Sequence, residues 1–385
     1  MRTENINFSY IKQIEILASK IPGVISLAQA IPSLDTPEII KKKVIEIISQ
    51  GKASRYSLSP GLPFLREVIE EKLAGKKMYY DFEKEIIITA GATEALMASL
   101  LAILDKGDEA IVFSPSYASY PEMIKVASGK PVLVNLQEEN NWQIDLKELE
   151  EKISSKTKVI LFCNPNNPTG TLFKKDELLK IGGLALKHNL FIISDEAYKE
   201  FIYNDEKYFS LAEVNELRKL VIRIFTFSKA YAMTGWRIGF LHSDEEVVKE
   251  IIKVHDTLIT CAPVVSQYAA LFGLELAQRE IKEFKKIYRE RKELICWQLD
   301  QLKDFFSYRE PEAAYFIFAK LKNRDNSWQF CLDLLEKAKV ALVPGIAFGP
   351  NGEGYARINF SASEENIIEA FKRIKTYFNY YEKNS

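Results

Sequence analysis

Between residues 65 and 245 the chain alternates near-continuous apolar runs with helix-like stretches, and this alternation constrains the fold more than any other feature. The runs are EIIITA (85–90), EAIVF (109–113), PVLVNL (131–136), KVILFC (158–163), LFIISDE (190–196), LVIRIFT (220–226) and RIGFLHS (237–243). Several are almost pure Ile, Val, Leu and Phe, the pattern of strands buried on both faces. Between many of them lie amphipathic stretches such as Ala92–Leu104 and Lys174–His188. Strand–helix alternation predicts an α/β fold with a mostly parallel sheet sandwiched by helices.

After about residue 280 the texture changes. A charged helical stretch, REIKEFKKIYRERKELICWQL, precedes three short strand candidates: AAYFIFAKL (313–321), VALVPG (340–345) and YARINFS (355–361). An amphipathic helix from Glu364 to Tyr377 follows. This predicts a smaller α+β domain. A chain of 385 residues is long for one core, so two domains are expected. The predicted division is a large domain over 45–280, with 1–44 and 281–385 forming an N-terminal arm plus small domain.

Several function classes are disfavoured. The formal net charge is −1, which gives no electrostatic reason to expect nucleic acid or an anionic membrane as partner. Cys163, Cys261, Cys296 and Cys331 are scattered without a CxxC pair and read as reduced structural thiols. His188, His242 and His255 lack metal-ligand spacing, so no metal site is expected. The N-terminus lacks the apolar core of a signal peptide, and no run of eighteen apolar residues occurs. A cytoplasmic enzyme is the expectation.

In open α/β sheets ligands bind beyond the carboxyl ends of the strands, so the residues that follow each strand carry the functional signal. EIIITA runs into Gly91-Ala92-Thr93-Glu94 and a helix. A glycine there lets a phosphate approach the backbone, and a helix start favours an anion, although such junctions are also common turns. KVILFC ends in Asn164-Pro165-Asn166-Asn167-Pro168-Thr169-Gly170, where two Asn-Pro pairs impose a non-helical loop. LFIISDEAY places Asp195 and Glu196 after four apolar residues, where a carboxylate needs a partner or serves as a helix cap. LVIRIFT leads into Thr226-Phe227-Ser228-Lys229 and then AYAMTGWRIG. A lysine between a buried strand and an apolar run is easily desolvated, which makes its amine easier to deprotonate. Each feature alone has a structural reading; their order and spacing together are far more specific.

The combination resembles the class I/II aminotransferases of the fold-type I pyridoxal-phosphate (PLP) superfamily. It is most similar to the branch with bacterial and archaeal aspartate, aromatic-amino-acid, kynurenine and methionine aminotransferases. The likeness runs from SLAQAIPSLDTP (26–37) to YARINFS (355–361), with SKAYAMTGWRIG (228–239), NPNNPTG and SDEAY its most specific motifs. The resemblance implies an aspartate aminotransferase-like fold and pyridoxal 5'-phosphate as cofactor, an electron sink for a carbanion at the amino-acid α carbon. It implies that Lys229 forms the Schiff base and then works as base and acid. Asp195 would pair with the pyridine nitrogen. Asn167 and Tyr198 would hold the ring's phenolic oxygen, and Tyr117 would stack on the ring. The phosphate would lie against Gly91, Ala92, Thr93, Thr226 and Arg237. Tyr56, in RYSLSPGLPFLRE (55–67), would reach the phosphate of a partner subunit, which implies a homodimer. Arg357 would grip the substrate α-carboxylate, with Asn167, Ala30 and Ile31 beside it.

The chain also departs from its relatives. Ala30 stands where they usually carry glycine, and Ser33-Leu34 where they carry Asp-Phe. Thr93 occupies the position where some aspartate-specific relatives place lysine. The preferred donor therefore stays open among aspartate, aromatic, methionine and glutamine-like amino acids. The implied function is transfer of an amino group from an L-amino acid to a 2-oxo acid, with 2-oxoglutarate the expected acceptor, by a ping-pong mechanism. A PLP-dependent carbon–sulfur β-lyase and a non-catalytic regulator on the same fold are the alternatives.

Overall fold

All seven apolar runs become strands of one sheet. The computed structural model describes residues 4–204 and 206–381. The strands are β1 (Ile86–Thr89), β2 (Glu109–Ser114), β3 (Lys130–Asn135), β4 (Thr157–Cys163), β5 (Phe191–Asp195), β6 (Val221–Thr226) and β7 (Gly239–His242). Their order across the sheet is β1-β7-β6-β5-β4-β2-β3. The central strands are buried almost end to end, as their continuous apolar sequence requires.

Strand direction places the site. Strands β2 to β6 pair in parallel, while β7 is antiparallel to both of its neighbours, β1 and β6. Six strands therefore point one way and only β7 is reversed. The C-terminal ends of β1, β2, β4, β5 and β6 share one edge with the N-terminal end of β7. The segment between β6 and β7 turns back at that edge, with Thr226 opposite Gly239. Lys229 and Arg237 both lie in this turn.

The later part of the chain builds a second, antiparallel sheet from β8 (Phe306–Tyr308), β9 (Phe316–Leu321), β10 (Val343–Pro344) and β11 (Tyr355–Asn359). Its order is β10-β11-β9-β8, so β11 and β9 are central. Four helices bear on the site and its frame: α1 (Tyr10–Ala18), α2 (Ala92–Ile103), α3 (Gln278–Asp300) and α4 (Glu364–Tyr381). Helix α3 begins where the sequence texture changes. Among the described residues no helix is long and apolar enough to cross a membrane.

At three places the strands differ from the sequence reading for a backbone reason. RIGFLHS becomes extended only from Gly239, because Arg237 has φ +51° in the left-handed region. AAYFIFAKL starts at Phe316, because Ala314 has φ +59°. VALVPG is not one strand: Val340–Ala341 pairs in parallel with Ile25–Ser26, while β10 joins the antiparallel sheet. The run is divided between two sheets because the N-terminal segment supplies a strand that local pattern does not reveal.

Candidate active site

A cavity of about 380 Å³ opens at the shared strand edge. Twelve of the predicted site residues line it: Ala30, Ile31, Ala92, Thr93, Tyr117, Asn167, Asp195, Tyr198, Thr226, Lys229, Arg237 and Arg357. Gly91 backs it. Tyr56 does not reach it; its side chain is 84% exposed and borders a separate hollow with Cys261 and Pro263.

Lys229 sits in the short helical turn Phe227–Ala230, which begins where Thr226 Oγ1 accepts from the Ser228 N–H at 3.2 Å. Its Nζ donates to the Ala30 carbonyl at 2.9 Å and lies 5.9 Å from the centre of the Tyr198 ring. Burial pulls the amine down to about 8; Arg357 and then Arg237 add repulsion, and Asp195 opposes them. About a tenth of this lysine is therefore the free base at pH 7, far more than for an ordinary lysine.

Asp195 and Glu196 leave the end of β5 in opposite directions. Glu196 is fully buried in an ion pair with Arg223, which also reaches His242 Nε2 at 3.1 Å; Ser210 Oγ donates to the same carboxylate. That pair is the structural reading of a strand-end acid. Among the described residues Asp195 has no such partner. Its Oδ2 accepts from Tyr120 OH at 2.8 Å and its Oδ1 from the Ala197 N–H at 3.2 Å. Burial pushes its carboxyl up to about 6 against these bonds and the weaker pull of Lys229. A buried carboxylate facing the cavity with only neutral donors is suited to a cationic group inside the cavity.

At the other end, Arg237 Nη1 donates to the Thr234 carbonyl at 3.1 Å and Nη2 to the Ala90 carbonyl at 3.4 Å. Gly91 has φ +82°, and a Cβ there would lie 2.9 Å from Arg237 Nη2. Only glycine lets the guanidinium settle against the start of α2. The N–H groups of the first turn, the Thr226 and Ser228 hydroxyls and this guanidinium converge as donors for an anion such as phosphate.

Arg357 belongs to β11 yet enters the same cavity. Its Nη1 donates to Asn167 Oδ1 at 2.9 Å and its Nη2 to the Ala28 carbonyl, while Nε is buried without a partner. The guanidinium lies 4.6 Å from the Phe316 ring centre and 5.0 Å from that of Phe348. It is 2% exposed and forms no ion pair among the described residues. Asn167 is held in place by its loop. Asn164 N–H donates to the Asp195 carbonyl at 3.0 Å, and Asn166 Nδ2 donates to the Pro115 carbonyl at 3.1 Å.

Tyr117 stands edge-on to Tyr120, with ring centres 5.3 Å apart. Tyr198 is wedged against Tyr315 and Phe316, and burial pushes its phenol well up. Sequence reasoning missed four contributors. Tyr120 follows Tyr117 by three residues in SPSYASY, and its contact with Asp195 has no sequence signal. Ser228 lies inside the specific run SKAYAMTGWRIG and was passed over. Lys12 and Glu15, on α1, also line the cavity and belong to no motif.

These residues meet the requirements of PLP: a desolvated amine, a buried carboxylate lacking a cation, a donor-rich cup that excludes a Cβ, and a second buried cation. Comparison with known proteins agrees. Residues 22–374 match the family described as aminotransferase class I and II. The chain is 36% identical over 378 residues to an aspartate aminotransferase of Pyrococcus abyssi, covering 97% of this chain and 96% of that one. It is 35% identical over 378 residues to aromatic-amino-acid aminotransferase 2 of Thermococcus litoralis, with the same two coverages. The solved aspartate aminotransferase of Thermotoga maritima superposes with a TM-score of 0.91 at 34% identity, over 98% of this chain and 99% of that one. Motifs, fold and relatives agree, and the chain belongs to the class I and II aminotransferases, a family of PLP-dependent transaminases.

Proposed function

We propose that the enzyme moves an amino group from an L-amino acid to 2-oxoglutarate in two half-reactions at the cavity described above. The carrying observation is that Lys229 and Arg357 face one cavity from different sheets, one as a partly neutral amine and the other as a guanidinium with no carboxylate partner. Lys229 Nζ would hold PLP, Asp195 its ring nitrogen, and Arg237, Thr226, Ser228 and the Gly91-Ala92-Thr93 backbone its phosphate. Asn167 and Tyr198 would hold the phenolic oxygen, and Tyr117 would cover one face. When bound, the cofactor supplies an electron sink that stabilises negative charge at the substrate α carbon.

The protein's own groups do the rest. Arg357 binds the α-carboxylate with two parallel N–H donors, which fixes the α carbon relative to Lys229. Asn167 holds the guanidinium plane. Once the substrate amine has displaced it from the cofactor, Lys229 Nζ would take the α proton as base and deliver it to the cofactor as acid, a role its lowered amine suits. Asp195 in its ionised form would keep a positive charge on the ring nitrogen.

Tyr56 is 84% exposed and does not line its own chain's active-site cavity, and Leu58, two residues on, is also more than half exposed. A homodimer in which this face is covered and Tyr56 completes the partner's phosphate cup accounts for both features.

The visible absorption of PLP-loaded protein tests the reading. A single amino acid added without oxo acid should convert the cofactor band completely, and 2-oxoglutarate should restore it while the matching oxo acid accumulates. An unchanged band with release of pyruvate or ammonia would instead assign a lyase.

A further inference from the structure

Four cationic side chains line the cavity: Lys229, Arg237, Arg357 and Lys12. The first three have roles in the reading above. Lys12 has none. It stands on α1 at the mouth, with its Nζ 2.8 Å from Glu15 Oε2 one turn along. The Lys12 side chain is 56% exposed, while that of Glu15 is only 17% exposed. The second carboxylate oxygen of Glu15, Oε1, is buried without a hydrogen-bond partner. Glu15 is also the one carboxylate among the principal charges acting on Arg357. An acid thus faces the α-carboxylate receptor, and Lys12 neutralises it.

With 2-oxoglutarate as acceptor and an uncharged donor, one pocket would take a second carboxylate in one half-reaction and a neutral side chain in the other. A fixed cation would suit the first and penalise the second by leaving a charge unpaired. A cation already paired with a neighbouring acid serves both. With a neutral side chain, Lys12 stays on Glu15. With a dicarboxylate, Lys12 turns inward and is shared between Glu15 and the second carboxylate.

We propose that Lys12 is the receptor for the second carboxylate of dicarboxylic substrates, and that its pairing with Glu15 lets the same pocket admit uncharged side chains. The proposal rests on the aminotransferase reading of this cavity. It assigns to α1 the function that relatives carrying a lysine at the Thr93 position place elsewhere.

The experiment measures kcat/KM of PLP-loaded enzyme for 2-oxoglutarate and for pyruvate with one common amino donor. The proteins compared are wild type, Lys12→Met, Lys12→Arg and Glu15→Gln. A lost charge-assisted contact corresponds to about a tenfold fall in the 2-oxoglutarate-to-pyruvate ratio for Lys12→Met. Lys12→Arg should recover most of that ratio, and Glu15→Gln should raise it, because the competing acid is gone. Calorimetric titration with succinate, an unreactive dicarboxylate, should show a matching loss of affinity in Lys12→Met without any turnover. A ratio within about twofold of wild type in Lys12→Met, or an equal fall for both oxo acids, overturns the proposal. Wild-type enzyme that transfers an amino group to neither acid overturns the aminotransferase reading itself, an outcome distinct from either of these.

Discussion

Arg357 Nη1 donates to Asn167 Oδ1 across 2.9 Å although 190 residues of chain separate them. The contact ties the antiparallel sheet to the loop that leaves β4, and it aims a guanidinium without a carboxylate partner into the cavity. Replacing Arg357 by alanine should lower kcat/KM for the amino donor by about a hundredfold or more, with most of the effect in KM. Thermal unfolding should change little or shift upward, because a buried charge with no ion-pair partner adds little stability. Steady-state kinetics and a melting curve on the same preparation check both halves.

Lys229 should announce itself through pH. Its amine is pulled from 10.5 down to about 8, so the reactive free base grows as pH rises through that value. The rate at which cofactor-free protein couples to added PLP, followed by absorbance, should therefore climb between pH 7 and about 9 and then level off. Lys229→Ala should abolish turnover and this coupling. PLP should still be retained noncovalently through the cup formed by Arg237 and the start of α2, which equilibrium dialysis would detect.

Asp195 makes a different pH prediction. Its carboxyl is raised from 3.8 to about 6 by burial. A raised carboxyl contributes stability that is fully present below the unfolded value and lost as pH rises through the folded value. Cofactor-free wild type should therefore lose up to about 3 kcal/mol relative to Asp195→Asn between pH 4 and 6, with no further divergence above. Denaturant melts at several pH values would read this. The same variant, loaded with PLP, should turn over about a thousandfold slower or worse, since a neutral amide cannot hold a positive ring nitrogen.

Much of this was legible in the sequence because buried parallel strands write themselves as unbroken Ile, Val, Leu and Phe. All seven strands of the large sheet were marked that way, and the motifs together named about half of the residues that line the cavity. What escaped was set by backbone angle or by distant partners. The left-handed angles of Arg237 and Ala314 delayed two strands without a glycine to signal it. The pairing of Ile25–Ser26 with Val340–Ala341 joins segments more than three hundred residues apart. Asp195 and Glu196 look equivalent in LFIISDEAY, and only their partners distinguish the paired acid from the one that faces the cavity. Lys12 and Glu15 occur on an ordinary amphipathic helix, where a Lys–Glu pair at i,i+3 usually marks solvated surface.

Gly91 offers a test of the cup that leaves the reacting groups alone. It combines φ +82° with a position where a Cβ would lie 2.9 Å from Arg237 Nη2. Gly91→Ala must strain the backbone, displace the guanidinium, or both, at a cost of roughly 1–2 kcal/mol. PLP affinity measured by fluorescence titration should fall about tenfold or more. Saturating PLP should restore most of kcat, because Lys229, Asp195 and Arg357 are untouched.

Tyr56 separates a shared site from a self-contained one. At 84% exposure, bordering only a separate hollow with Cys261 and Pro263, it does not line the active-site cavity of its own chain. If a second copy covers this face, each cavity takes Tyr56 from one subunit and Arg357 from the other. Tyr56→Phe and Arg357→Ala proteins should each be impaired alone. Mixed under conditions that exchange subunits, they should form heterodimers in which one of the two cavities has both residues intact. Activity should then rise above the average of the two parents, towards about a quarter of wild type for random pairing of equal amounts. Activity that stays at that average, with exchange verified by differently tagged chains, would place Tyr56 outside the site.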